Sequence, residues 1–541
     1  MSRSCREEGI TADRPSALQI VANDGSLRLD DEVGAEVDDV QRLQAVYSAG
    51  LISRRGLIRR ALAMGLTASS AGALLAACSG ADPDATAGPS ASQAAGGDGP
   101  SGRVQVLVGF GTGNAPAQVA EQEALAAAFT ELNPDIEIEF LRIPGGSGDA
   151  QQRLTLAISS GEAPDLVMPA GLFGMGLFLD REVWLDLGDL AERDGVDLSV
   201  YREEALAAAR ATGYYGPDST ALIGLPVGAH THPLAYNATL FEEVGVEPPP
   251  TDWDDPDWTY ARFREVAIQM TRDGSGRTPE DQAFDEEDIA HYGVGNFFAE
   301  TMFFAFGGQR WMASEQAFGF DSPGAVEGLQ FAADLINVDR AQPNAQAIAV
   351  VGGGASGGEG ELFAWLNGRL AMVDFCTCSF SSYGDVDGFE WRLAAMPTGP
   401  ARRFAFLNLD LGAITQASEN QDAAWEVLKF FALEELDRYA FDSLGAIPPT
   451  TSGEEVFGEF VAEGYPSADP AVIIAGLPSS GIDNEAWFPA FAEVNTAQGA
   501  AFGPVIAGEV DAATALAGLQ QEATALAATW AETNELPSAG D

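Results

Sequence analysis

From Arg103 onward, apolar and polar positions recur with two distinct periods. Val104, Val106, Leu107 and Val108 form a short apolar run that predicts a buried strand, followed by a glycine-rich loop over 109–116. Leu125, Phe129 and Leu132 then fall at helical spacing until Asn133-Pro134, where proline stops the helix. Ile136, Ile138 and Phe140 alternate with Glu137 and Glu139, the pattern of a strand with one solvated face. A second helix carries Leu154, Leu156 and Ile158 and ends at Ser160-Gly161, and a third strand covers 165–168. Strand, helix, strand, helix, strand predicts a parallel sheet with crossover helices. Ligands of such sheets bind beyond the carboxyl ends of the strands. Here those ends are the loops 109–116 and 169–174.

Further along, helices and aromatic clusters dominate: Trp253, Trp258, Phe297, Phe298, Phe303, Phe304, Phe306 and Trp311. A glycine-rich surface loop is predicted over 352–360, and a strand over 370–375. Ser418 and Gln421 fit a capping box, with Ala424, Val427, Leu428 and Phe431 as the apolar face of the helix it starts. Val510, Leu516, Leu519, Leu526 and Trp530 predict one face of a long final helix.

A chain of 541 residues is too long for one core, so two or more lobes are expected. Its formal charge of −53 excludes a nucleic-acid surface, which needs clustered Arg and Lys. The same balance argues against docking on anionic lipid headgroups. Lys429 is the single lysine, a bias that suits a GC-rich genome, and the acidic surface suits a salt-tolerant prokaryote. Four cysteines, Cys5, Cys78, Cys376 and Cys378, do not make a disulfide scaffold.

The sharpest local signal precedes the α/β body. Ser53-Arg54-Arg55-Gly56-Leu57-Ile58-Arg59 resembles a twin-arginine export motif. A weakly apolar run follows and ends at Leu75-Ala76-Ala77-Cys78, which resembles a lipoprotein signal-peptidase box. Arginines hold the cytoplasmic side, the apolar run enters the bilayer, and small residues before the cysteine suit the peptidase. Residues 1–77 are therefore expected to be a leader, either with a long n-region or with translation starting later, for instance at Val46, and Cys78 the lipidated residue. The run is short and poor in large apolar residues, unlike a permanent span of ~20. Residues 79–102 hold no apolar side chain larger than alanine and predict a disordered tether with a reach of roughly 25–30 Å.

Six segments in order resemble family 1 of the bacterial extracellular solute-binding proteins, the group of maltose- and other sugar-binding proteins. They are AFTELNPDI from Ala128, SGEAPDLV from Ser160, Gly224-Leu225-Pro226 leading to Tyr236-Asn237, Gly307-Gly308, NGRLAM from Asn367, and Ile414-Thr415 to Trp425. The resemblance covers roughly 103–535. It implies a two-lobed α/β fold of the periplasmic-binding-protein type II class, with crossing hinge strands and a ligand cleft between the lobes. On that pattern the crossings lie near 225–229, 394–397 and 446–450. The first lobe would be 103–226 with 397–447, and the second 227–396 with 448–541. The implied function is capture of a carbohydrate for the permease subunits of an ABC importer, by a monomer that needs no cofactor and performs no catalysis.

A sugar offers apolar C–H faces and a ring of hydroxyls, so its site needs aromatic plates and planar polar groups. By the family pattern, Trp487 matches a cleft tryptophan, although tryptophan is as readily a core residue. Phe297 or Phe298 stands where another plate is common. Phe110, Pro169, Ala170, Leu172 and Phe173 are expected at the rim of the first lobe, and the maltose binders' tryptophan near Pro169 is absent. Phe380 and Tyr383 could supply the aromatic plate that follows the strand at Met372. Asn408 and Asp410 could bind hydroxyls. His230 and His232 lie two apart, so on a strand both rings face one side, towards the cleft, where they could bind a ligand or chelate a metal. Cys376 and Cys378 on an extended strand would have Cα atoms ~6.5–7 Å apart, too awkward for an ordinary disulfide, and are expected as buried free thiols. Competing readings are a secreted polysaccharide-degrading enzyme with a carboxylate pair, and the same fold binding a metal, a polyol or a peptide.

Overall fold

The computed structural model describes residues 20–23, 26–29 and 100–534, apart from 111, 144–146, 217–218, 296, 356, 381–385, 387 and 482–486. Cys78, the export motif, the tether up to residue 99 and Tyr383 lie outside the described residues. The chain divides into two compact units, Met1–Ala95 and Gly96–Asp541. In the first, β1 (Ile20–Asn23) pairs antiparallel with β2 (Ser26–Leu29), placing Ile20 opposite Leu29.

The second unit begins with the predicted alternation. β3 (Gly102–Val108) is flanked in parallel by β4 (Ile136–Arg142) and β5 (Leu166–Gly171). Helices α1 (Pro116–Leu132) and α2 (Ser147–Ser160) make the crossovers. Pro116 sits at the start of α1, where its fixed φ suits a first turn. Gln118 Oε1 accepts the N–H groups of Gly113 and Ala115, both at 3.0 Å. Leu125, Phe129 and Leu154 are buried as expected. Leu132 and Leu156 are instead 68 % and 59 % exposed. Leu156 lies two residues from Leu154, hence on the opposite side of its helix, and Leu132 is the last residue of α1 with no further turn beside it.

The chain continues through β6 (Leu225–Thr231), β7 (Leu234–Asn237), the ribbon β8 (Arg272–Asp273) with β9 (Ile289–His291), and the ribbon β10 (Gln309–Met312) with β11 (Ala317–Gly319). Four strands follow: β12 (Met372–Asp374), β13 (Trp391–Ala394), β14 (Ala405–Ile414) and β15 (Ser480–Gly481). The larger sheet runs β15-β14-β5-β3-β4, and β6 also pairs with β14, antiparallel. The smaller sheet, β12-β7-β13, is antiparallel. Beside it lies a core of Trp365, Phe375, Phe380, Trp391 and Phe457, all buried.

Three local expectations change. Residues 357–360 are helical, part of Gly357–Leu366, so the glycine-rich loop is shorter than its composition suggests. Ser418 does not cap the helix Gln421–Lys429: its hydroxyl donates to Asp165 Oδ1 at 2.5 Å and accepts the Asn420 N–H. A buried carboxylate at hand out-competes the helix end. The last helix is Ala512–Trp530, and Val510 precedes it, exposed.

Candidate functional site

Alternation along β6 and β14 creates two different faces, because successive side chains of a strand point to opposite sides. In the register, Asn408 lies opposite His230 and Leu409 opposite Ala229. Ala229, Leu407 and Leu409 line a cavity of about 1380 Å³. Leu172, Met175 and Leu179, just after β5, contribute apolar wall, and Phe304, Trp311, Trp487 and Phe488 contribute aromatic wall. Polar groups at the same cavity include Gln309, Arg310, Glu204 and Glu315, with Arg202 and Glu454 joined in an ion pair. Arg310 is buried and stands over the Phe304 ring, 5.6 Å from its centre.

Trp487 is 8 % exposed and packs edge-on against Tyr214 at 4.7 Å and Trp530 at 5.6 Å. Its Nε1–H is buried and meets no acceptor of the protein. Burial, with the nearby Asp180 charge, pushes the Tyr214 hydroxyl up to about 12, so the ring behind Trp487 stays a neutral phenol.

Apart from Leu172, the other residues singled out from the sequence lie elsewhere. Phe110 is buried against Phe178 at 6.3 Å and under Gly174, where even a Cβ would collide with its ring. Pro169 is buried within β5, and Phe173 packs on Phe491 at 5.7 Å. Ala170 and Leu172 split: the first is core within β5, and the second reaches the cavity. Phe297 is core, 5.0 Å from Phe263. Phe298 is 44 % exposed and touches His232 and Phe406 rather than the cavity. Phe380 stacks on Tyr465 at 4.5 Å, deep in the core beside the smaller sheet.

The two histidines do share a face, but it is the buried side, opposite the cavity. Asp410 Oδ2 lies 3.1 Å from His230 Nε2. His232 Nδ1 lies 2.6 Å from Asp374 Oδ1, and its Nε2 lies 3.2 Å from Asn408 Nδ2. The amide nitrogen can only donate, so Nε2 accepts and the His232 proton belongs on Nδ1, donated to Asp374. Burial pushes the Asp374 carboxyl up, against the opposing pull of His232. Each ring thus has its own carboxylate, and the pair does not chelate one ion. Cys376 and Cys378 are joined in a disulfide. Cys376 precedes and Cys378 lies within a 3₁₀ turn, Thr377–Ser379, which draws their Cα atoms to 5.1 Å, inside the range a disulfide spans. The expectation of free thiols fails because it assumed an extended strand.

Sequence reasoning passed over Trp311, Phe304 and Phe488 as site residues. The usable signal for Trp311 is the polar Gln309-Arg310 directly before it, a tryptophan on a short polar ribbon instead of in an apolar run.

A parallel sheet extended by antiparallel β14 and β6, a separate smaller sheet, and a large cavity walled from the segments after β5, β10 and β15 define a two-lobed α/β protein for holding a small guest. The chain belongs to the family of bacterial extracellular solute-binding proteins, whose model matches residues 112–436. It is similar to a Brucella abortus chain described as a binding protein, 24 % identical over 364 residues, covering 66 % of this chain and 78 % of the relative. Among solved structures, it is similar to an ABC substrate-binding protein from Listeria monocytogenes in complex with cycloalternan. That match has a TM-score of 0.63 and 18 % identity and covers 78 % of this chain and 97 % of the other. Maltose-bound MalE3 of T. maritima superposes with a TM-score of 0.60 at 19 % identity, over 78 % and 99 % of the two chains. UgpB from Mycobacterium tuberculosis in complex with glycerophosphocholine gives 0.61 at 17 % identity, over 79 % and 99 %. Family and fold neighbours are binding proteins rather than enzymes, and the family is extracytoplasmic. Among the described residues, no helix is long and apolar enough to cross a membrane.

Proposed function

We propose that this chain captures a carbohydrate in the cavity beside Trp487 and passes it, unaltered, to the permease of an ABC importer. The observation that carries the reading is the wall itself. Trp311, Trp487, Phe304 and Phe488 offer ring faces and edges for C–H surfaces, while Arg202, Glu454, Gln309 and Arg310 offer planar polar groups for hydroxyls. At about 1380 Å³ the space exceeds the roughly 300–1,000 Å³ of a site for one drug-sized ligand, which favours an oligosaccharide over a single ring. On the lobe boundaries implied by the family pattern, 103–226 with 397–447 and 227–396 with 448–541, the aromatic wall belongs to the second lobe, and Arg202 with the apolar Leu172, Met175, Leu407 and Leu409 to the first. Closure would then be an ordinary hinge motion. The leader and Cys78 support export by the twin-arginine route and a lipid anchor, which would keep a monomeric capture subunit near its permease.

The test is a thermal-shift panel of maltodextrins, cyclic and linear glucans, monosaccharides, polyols, glycerophosphocholine, peptides and zinc. A ligand at 100 times its Kd stabilises the folded state by ~2.7 kcal/mol. Stabilisation by a glucan without its hydrolysis supports the reading. Stabilisation by glycerophosphocholine or a peptide alone, with all saccharides silent, would move the chain to another ligand class.

A further inference from the structure

Behind the cavity wall, the buried face of β6 and β14 holds a cluster that sugar capture leaves unused. His230 is 2 % exposed. Its Nε2 faces Asp410 Oδ2 at 3.1 Å, and its Nδ1, also buried, meets no hydrogen-bond partner. A carboxylate accepts only from an N–H, so the proton belongs on Nε2 and Nδ1 is left with a bare lone pair. A ring nitrogen of His230 and the sulfurs of Cys376 and Cys378 lie within 4.8 Å of one another. A carboxylate holding one nitrogen of an imidazole, with the other left to bind, is the arrangement by which proteins orient a metal-ligating histidine. Two sulfurs and one imidazole are the donor set of zinc and similar ions, with a fourth position open.

We propose that reduction of the Cys376–Cys378 disulfide turns this cluster into a binding site for a zinc-class divalent cation, held by both thiolates and His230. A phosphine can carry out the reduction. The S–S bond gains two electrons and two protons, water supplies the protons, and its oxygen leaves as phosphine oxide. The cation then displaces the two thiol protons as it binds. Around a tetrahedral ion the two sulfurs stand roughly 3.8 Å apart, a spacing reached once the bond between them is broken. The bound ion joins two segments, and a third packs on them. His230 lies on β6, the cysteines follow β12, and Gly445 is packed over their turn, where a Cβ would come within 3.1 Å of Thr377 O. Beyond Gly445, Ile447 bridges back to Ala229 of β6.

The experiment uses the full chain carrying Cys5→Ser and Cys78→Ser, so that only Cys376 and Cys378 supply thiols, with cobalt(II) chloride as the probe. After phosphine treatment the protein should take up one cobalt per chain, with thiolate-to-cobalt absorption, and the untreated protein should show no such band. His230→Gln and Asp410→Asn should each weaken cobalt binding by about tenfold or more, as loss of an orienting partner does. Equal cobalt binding with and without reduction, or undiminished affinity in His230→Gln, overturns the proposal. If melting curves show that His230→Gln does not fold, Cys376→Ala decides instead: an unchanged cobalt spectrum in that variant is equally fatal.

Discussion

Trp487→Phe separates two roles that Trp487→Ala would confound. In the wild type, Trp487 lines the cavity and its buried Nε1–H meets no protein acceptor. An unmet buried donor costs about 1–3 kcal/mol, and that cost is removed by a ligand oxygen that accepts from it. Phenylalanine keeps a ring against Tyr214 and Trp530 but has no donor. Unliganded Trp487→Phe therefore regains the penalty and loses some packing, two terms of similar size and opposite sign, so its stability should stay within ~1 kcal/mol of wild type. Ligand affinity, in contrast, should fall by the net worth of one hydrogen bond, ~0.5–1.5 kcal/mol, or roughly 2- to 12-fold. Trp487→Ala would instead open a hole beside both rings and cost ~3–5 kcal/mol. Urea unfolding of the unliganded variant and calorimetric titration with the best glucan measure the two quantities separately. A variant destabilised by several kcal/mol yet binding with wild-type affinity would mean that Trp487 is a packing residue and that its N–H plays no part in recognition.

Two further outcomes can be checked. Burial lifts the Glu361 carboxyl from its ordinary 4.5 to about 7. The folded state therefore holds a proton that the unfolded state releases between these values, and stability falls as pH rises through that window. Glu361→Gln should leave stability unchanged near pH 4 and raise it by up to ~3 kcal/mol above pH 7, read from urea unfolding across pH; a constant difference at every pH would refute the assignment. For the anchor, Cys78→Ser should move the exported protein from the membrane fraction to the soluble extracytoplasmic fraction, and a variant that stays membrane-bound would rule out lipidation at Cys78.

The alternating α/β order was legible because apolar runs, alternation and helix-stopping Asn133-Pro134 and Ser160-Gly161 mark off β3, α1, β4, α2 and β5 in turn, and a helix between successive strands makes them parallel neighbours. The face of each later strand was not legible. His230 and His232 do share a side, as i and i+2 must, but period alone cannot say which side is open. Only the pairing of β6 with β14 decides it, and that contact joins residues some 180 positions apart. Phe297 and Phe298 show the same limit, one buried against Phe263 and the other 44 % exposed. Trp487 was legible through its place in the family pattern, where an aromatic at that point of the chain has a reason to be there. The cysteines misled because spacing predicts geometry only once the backbone is known, and a 3₁₀ turn brings i and i+2 closer than a strand does.

The two faces of β6 and β14 are chemically opposed and mechanically inseparable. Ala229, Leu407 and Leu409 form cavity wall, while His230 and Asn408 stand between them on the other side of the same backbone. Any shift of that backbone that reshapes the wall must also move the His230–Asp410 and His232–Asp374 contacts, because each pair joins different segments at 3.1 and 2.6 Å. Buried, directional polar contacts tolerate little displacement before a charge or donor is left unmet, and the cost rises steeply inside a protein. The pairs therefore favour a small number of discrete strand positions over a continuum. That is the mechanical property a binding protein needs if an open and a closed form are to be distinct states.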